Sequence, residues 1–344
     1  MSLAMMVVDG WTTLITRRCA EQKFLMRPDR HGAVKNTYEY CLAHAAIETG
    51  IQVHAYVAMG NHSHALATDP AGERPSFARN FHSLFGRIMN FTLGRKGHFF
   101  DAASSYNDLH CVEGEDILSR MVYVTTNPVA AGLVERPEDW PGAITLPEHF
   151  LKDAPPIVAA RPTKVLRDKG RAKSEAKRVH TARDRARNHS KPKEPLPDER
   201  QVRLVIPVQY RHLGRESFVK LYRERVNIRL EQLHDERKRH ADRKKRGYLG
   251  VEAIFRTPVN DAPKPKTAEE LEKAKQQRLD DGLIPHIACK DRDLRIRHKE
   301  WLCKFWRDNR KSYEAFRDGK RDEVFPAGTW GMARFQGVRV ADAG

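Results

Sequence analysis

His62 and His64 stand two residues apart, directly after Gly60-Asn61. In an extended strand successive side chains alternate between faces, so both imidazoles point the same way. At the normal strand rise their Cα atoms are about 6.5–7 Å apart. Neutral imidazoles are good ligands for divalent ions, and two on one face can converge on a single cation. The spacing alone is equally that of two ordinary polar strand residues. A second stretch with chemical potential is Tyr123 to Val129, where Tyr123 and Asn127 are four apart and share one helix face. A tyrosine hydroxyl can attack as a covalent nucleophile. It can equally be the polar rim of a core aromatic. A phenol has a pKa near ~10, so a cation beside the group under attack would help it react near neutrality.

These residues need elements to hold them. Period-two and period-3.6 patterning predicts a strand over 11–17, a helix over 36–49 and a strand over 53–59. Gly60-Asn61 reads as a tight turn, and a further strand begins near His62. Helices are predicted over 75–93 and 115–126, the second ended by Pro128. Interleaved strands and helices place the chain in the α+β or α/β class, with a sheet covered by helices.

The composition changes near residue 155. Residues 161–200 carry 14 Lys/Arg against 6 Asp/Glu and four prolines, with few large apolar side chains. This is a basic arm or linker that can lie along phosphates. Lys173, Lys177, Arg178, Arg183, Arg185 and Arg187 are its candidate DNA contacts, with Arg17 and Arg18 from the first strand. A short strand is predicted over 202–206, then a long helix over 215–245 whose far end is strongly basic. A charged helix over 268–278 and an amphipathic helix over 294–316 follow. Residues 324–330 read as a turn leading into a strand. Trp301, Trp306 and Trp330 can stack on bases, although helical spacing gives Trp306 a core role. The chain thus divides into 1–152, a basic segment 153–200, and a mostly helical 201–344.

Taken together, the two chemical stretches resemble the HUH single-tyrosine transposases of bacterial insertion sequences, especially the branch associated with repetitive extragenic palindromes. The resemblance rests on His54 to His64, and on Tyr123 followed by Asn127-Pro128-Val129-Ala130-Ala131-Gly132-Leu133-Val134. Arg17-Arg18-Cys19, Phe24-Leu25, Gly97-His98-Phe99-Phe100 and Pro137-Glu138-Asp139-Trp140-Pro141 extend it in the same order, over about residues 10–145. Ser63 stands where that family usually has a hydrophobe. Ala102-Ala103-Ser104-Ser105-Tyr106 replaces a basic run.

The resemblance implies an antiparallel sheet covered by helices, of the HUH nuclease type. It implies cleavage and rejoining of single-stranded or hairpin-containing DNA through a 5′-phosphotyrosine at Tyr123. His62 and His64 would be the metal ligands, with Asn127 the third. Mg²⁺ is the expected ion, with Mn²⁺ the better match to imidazole. Monomers and homodimers both fit the family. The competing expectation is a domesticated relative that binds such DNA without cutting it.

The bulk numbers agree with a nucleic-acid partner: 62 Lys and Arg against 45 Asp and Glu give a formal +17. Five scattered cysteines with no CxxC pair exclude a disulfide framework and a cysteine-based zinc finger. No apolar stretch approaches the roughly 20 residues of a membrane span. The expected location is cytoplasmic, with the nucleoid.

Overall fold

A computed structural model describes residues 4–102, 105–162, 196–240, 247–265 and 267–342. The chain runs β1 (Trp11–Arg18), α1 (Ala33–Thr49), β2 (Gln52–Ala58), β3 (His62–Asp69), α2 (Arg74–Thr92), β4 (Asn107–Cys111) and α3 (Gly114–Ala130). It continues with β5 (Ile157–Ala160), β6 (Glu199–Val202), α4 (Arg215–Lys238), α5 (Val251–Arg256) and α6 (Ala268–Asp280). Then come β7 (Leu283–Ile284), β8 (Ile287–Ala288), α7 (Arg292–Arg317), β9 (Val324–Phe325), α8 (Gly331–Gln336) and β10 (Arg339–Val340).

The class is α+β. One six-stranded sheet has the order β2-β3-β1-β4-β8-β7, and its pairings are antiparallel except for β4 with β8. Strand alternation splits its side chains between two cores. Ile15, Tyr56 and Ala65 face α1 and α2, joining Tyr38, Phe77, Phe81 and Phe85. Leu14, Val57 and Leu66 face α3 and α4, joining Met121, Phe218 and Tyr222. At 25 cal/mol per Å², each fully buried aromatic or leucine contributes about 1.5–3 kcal/mol. A third cluster, Met6, Ile287, Leu302 and Phe305, seats α7 at the β4–β8 side.

Residues after 200 therefore share the sheet and the second core. β8 pairs with β4. Tyr222 of α4 reaches α3, its hydroxyl 2.6 Å from Thr125 Oγ1 and 3.1 Å from the Met121 carbonyl.

Some expectations are corrected. α3 does not end before Pro128 but runs to Ala130. Proline in the last turn removes one amide, while the later ones still close on earlier carbonyls: Ala131 N to Asn127 O at 2.9 Å and Leu133 N to Pro128 O at 3.0 Å. The actual stop is Gly132, at φ 72°. Regular pairing in the next segment falls at β6 with β5, rather than over 202–206. Beyond it, Leu204 bridges to Val53 and the Val205 amide donates to the Val53 carbonyl. The chain after Gly328 forms the short helix α8 before β10, not a strand directly. β4 has no counterpart in the sequence reading. α4 is described to Lys238, and residues 241–246 lie outside the described residues. Among the described residues, no helix is long and apolar enough to cross a membrane.

Candidate active site

In the β1–β3 register Thr16 lies opposite His64, and Arg18 opposite His62. Directly opposed residues share a sheet face, so these four side chains stand together. Arg17 and Ser63 take the other face. Arg17 donates to the Asp101 carbonyl at 3.0 Å and lies 5.4 Å from the Phe100 ring centre. Ser63 is buried on the side of Tyr38 and α1, where a hydrophobe was expected.

Both histidines present the same nitrogen. His64 Nδ1 is 2.8 Å from Thr16 Oγ1, which leaves Nε2 facing the Tyr123 hydroxyl at 3.4 Å. His62 Nδ1 is 2.7 Å from Asn61 Oδ1. An amide oxygen only accepts, so Nδ1 of His62 carries the proton and Nε2 keeps its lone pair. The two rings are 4.9 Å apart between centres and nearly perpendicular, at 84°. Burial, then the nearby Arg18, holds His62 down to about 4. Burial, followed by His62, Arg18 and Arg120, holds His64 well below the usual histidine range. Both are neutral near pH 7, the form that ligates metals.

α3 packs across this face and brings Tyr123 over it. Tyr123 is 38% exposed on a helix whose neighbouring residues are mostly buried. Its ring lies 5.2 Å from that of His64, edge to face. Arg120, one turn earlier and 8% exposed, places its guanidinium 5.4 Å from the Tyr123 ring centre. Asn127 is one turn later and also buried. Among the described residues no hydrogen bond joins it to either histidine.

The structure thus brings His62, His64 and Tyr123 together, with Arg18 beside His62 and Asn127 one turn beyond Tyr123. Arg17 is turned away. Lys173, Lys177, Arg178, Arg183, Arg185 and Arg187 lie outside the described residues. Sequence reasoning missed Thr16, Asn61 and Arg120. Arg120 was detectable, since three residues before Tyr123 is the same helix face. Thr16 needed the strand register.

The donor set fits a divalent cation. Two neutral imidazoles have their Nδ1 atoms fixed by oxygen partners and their Nε2 atoms available, an arrangement that orients metal ligands. Another group of ligand atoms, Glu113, Asp116 and Cys289, also lies close together. Its atoms are already used: Asp116 accepts from the Glu113 amide at 3.1 Å and the Lys290 amide at 3.0 Å. Burial also raises the Cys289 thiol to about 11. This group caps α3 and pins the segment after β8.

No family model matches the chain, and no curated protein matches it. Among solved structures it is similar to one described as "Structure of the REP associates tyrosine transposase bound to a REP hairpin". The identity is 21% and the TM-score 0.30, over 40% of this chain and 77% of that one.

Proposed function

We propose that this chain cuts and rejoins single-stranded DNA, or hairpins with single-stranded flanks, as the HUH single-tyrosine transposases it resembles do. The observation that carries the reading is the exposed Tyr123 hydroxyl held 3.4 Å from Nε2 of a buried, neutral His64. A nucleophile must be exposed to reach a backbone phosphate, and a core tyrosine would not be. The surplus positive charge supplies attraction for that backbone.

In this reading Tyr123 Oη bonds to phosphorus and the bond from phosphorus to the 3′ oxygen breaks. The phenol loses a proton and the departing 3′ oxygen gains one. The phosphotyrosine keeps the bond energy for attack by another 3′-hydroxyl. His62 and His64 would hold a divalent cation, Mg²⁺ or Mn²⁺, with Asn127 as third ligand. When bound, that ion neutralises charge developing on the phosphate. Thr16 and Asn61 fix the two imidazoles. Arg18 and Arg120 add positive charge where the phosphate would lie. Residues 1–152 would be the cutting segment and 153–200 a basic arm, with 201–344 an accessory segment that backs α3 through α4 and extends the sheet through β8 and β7.

The test is cleavage of labelled hairpin oligonucleotides by His62→Ala and His64→Ala. Loss of metal-dependent cleavage with retained DNA binding is expected. Full cleavage by either variant overturns the metal assignment.

A further inference from the structure

The sheet has a second chemically equipped end. β1 places Arg18 against His62 and Trp11 against Asp69, seven residues away along the strand. That is roughly 24 Å at the antiparallel rise. At the Trp11 end a cavity of about 150 Å³ lies between the sheet and α7. Its walls include Trp11, His110, His298 and Trp306, and Arg74 and Asp108 also line it.

One wall is an aromatic pair closed on itself, so a ligand would lie beside the pair and not between its rings. Trp11 and His110 stack with ring centres 3.8 Å apart and 11° between planes. His298 lies 5.8 Å from His110. Trp301 meets the edge of Trp11 at 5.3 Å and His298 at 6.0 Å, and is 41% exposed. A large indole left in solvent beside an aromatic cavity is a stacking platform.

Size and polarity narrow the occupant. An apolar cavity of about 150 Å³ holds benzene, so the space here matches one six-membered ring better than a fused bicycle. His110 Nδ1 donates to the Thr12 carbonyl at 3.2 Å, leaving Nε2 as a fixed acceptor. Arg74 and Asp108 form a buried ion pair at 3.1 Å. Asp108 also bonds His286 at 2.7 Å. A planar ring with N–H groups on its edge matches that acceptor. Outside, Arg297 and Lys304 flank Trp301 on the same face of α7. Lys304 shares its charge with Asp308 at 2.8 Å. Cations beside a stacking indole suit the phosphates on either side of a base.

We infer that this cavity takes a single unpaired pyrimidine base of DNA, with a neighbouring base stacked on Trp301. The inference rests on the DNA reading above but uses none of its catalytic residues. Its test is fluorescence anisotropy of the full chain with labelled oligothymidylate and oligodeoxyadenylate, in Trp301→Ala and in His298→Trp, which fills the cavity. Adduct formation on hairpin DNA is measured in parallel. Oligothymidylate should bind more tightly than oligodeoxyadenylate; His298→Trp should weaken the former by about tenfold while changing the latter less, and Trp301→Ala should weaken both. If adduct forms but His298→Trp leaves the pyrimidine preference unchanged or weakens both oligomers equally, or Trp301→Ala weakens neither, the pocket assignment is overturned. If the pyrimidine effect appears without any adduct, the pocket stands and the cutting reading falls.

Discussion

The Tyr222 hydroxyl lies 2.6 Å from Thr125 Oγ1, two residues along α3 from Tyr123. It also bonds the Met121 carbonyl, two residues before Tyr123, at 3.1 Å. A residue 99 positions downstream thus holds the back of the helix whose front carries the tyrosine. Thr125 keeps a second partner, the Thr145 carbonyl at 2.9 Å. Tyr222→Phe should therefore cost about 1–2 kcal/mol, mostly as lost buried hydrogen bonds. Urea unfolding measures it. An unchanged midpoint would show that α4 does not brace α3 through this contact.

Thr16→Val removes the partner of His64 Nδ1 and keeps the shape of the side chain. The imidazole then loses the contact that fixes its ring and tautomer. Metal affinity should fall by about 10- to 100-fold, the usual effect of losing an outer-shell partner. Isothermal titration with Mn²⁺ reads it directly. Unchanged affinity would mean that His64 is not held as a ligand.

Much of this site could be read in the sequence. The alternation rule puts His62 and His64 on one face without knowledge of any partner strand. The helical period puts Tyr123 and Asn127 on another. What could not be read came from contacts distant along the chain. β4 was missed because Asn107, Asp108 and His110 look like loop residues. They are tolerated in the sheet because Asp108 meets Arg74 and His286, and His110 meets the Thr12 carbonyl. Pro128 read as a helix end because proline lacks an amide, yet the last turn closes around it. His54, part of the histidine motif, turns out to be structural. It is fully buried in an irregular register between β2 and β3, bonding the Val205 carbonyl at 2.6 Å and Thr68 at 2.7 Å.

That burial has a consequence for acid stability. Desolvation holds His54 and His62 at about 4, and His82 and His110 at about 3. Unfolded histidine titrates near ~6.5. Between that value and the folded ones the unfolded chain binds more protons, so stability falls as pH falls. His286, raised by its bond to Asp108, works the other way, but as one group against several. The thermal midpoint should drop clearly between pH 7 and pH 5. A flat profile over that window would contradict the buried neutral assignments.

Arg18 offers a separate check on where the DNA runs. It shares a strand face with the histidines. If its guanidinium meets a phosphate, Arg18→Gln should lower the salt slope of single-strand binding by about 0.7. Binding constants at several ionic strengths supply the slope. No change would place the backbone elsewhere on the surface.

The most direct measurement is a denaturing gel of the purified protein with labelled hairpin oligonucleotides and Mg²⁺ or Mn²⁺, with Tyr123→Phe alongside. A slow-migrating covalent species is expected that needs metal and disappears in Tyr123→Phe. Tight binding of the same hairpins with no covalent species would contradict catalysis and leave a domesticated DNA-binding protein.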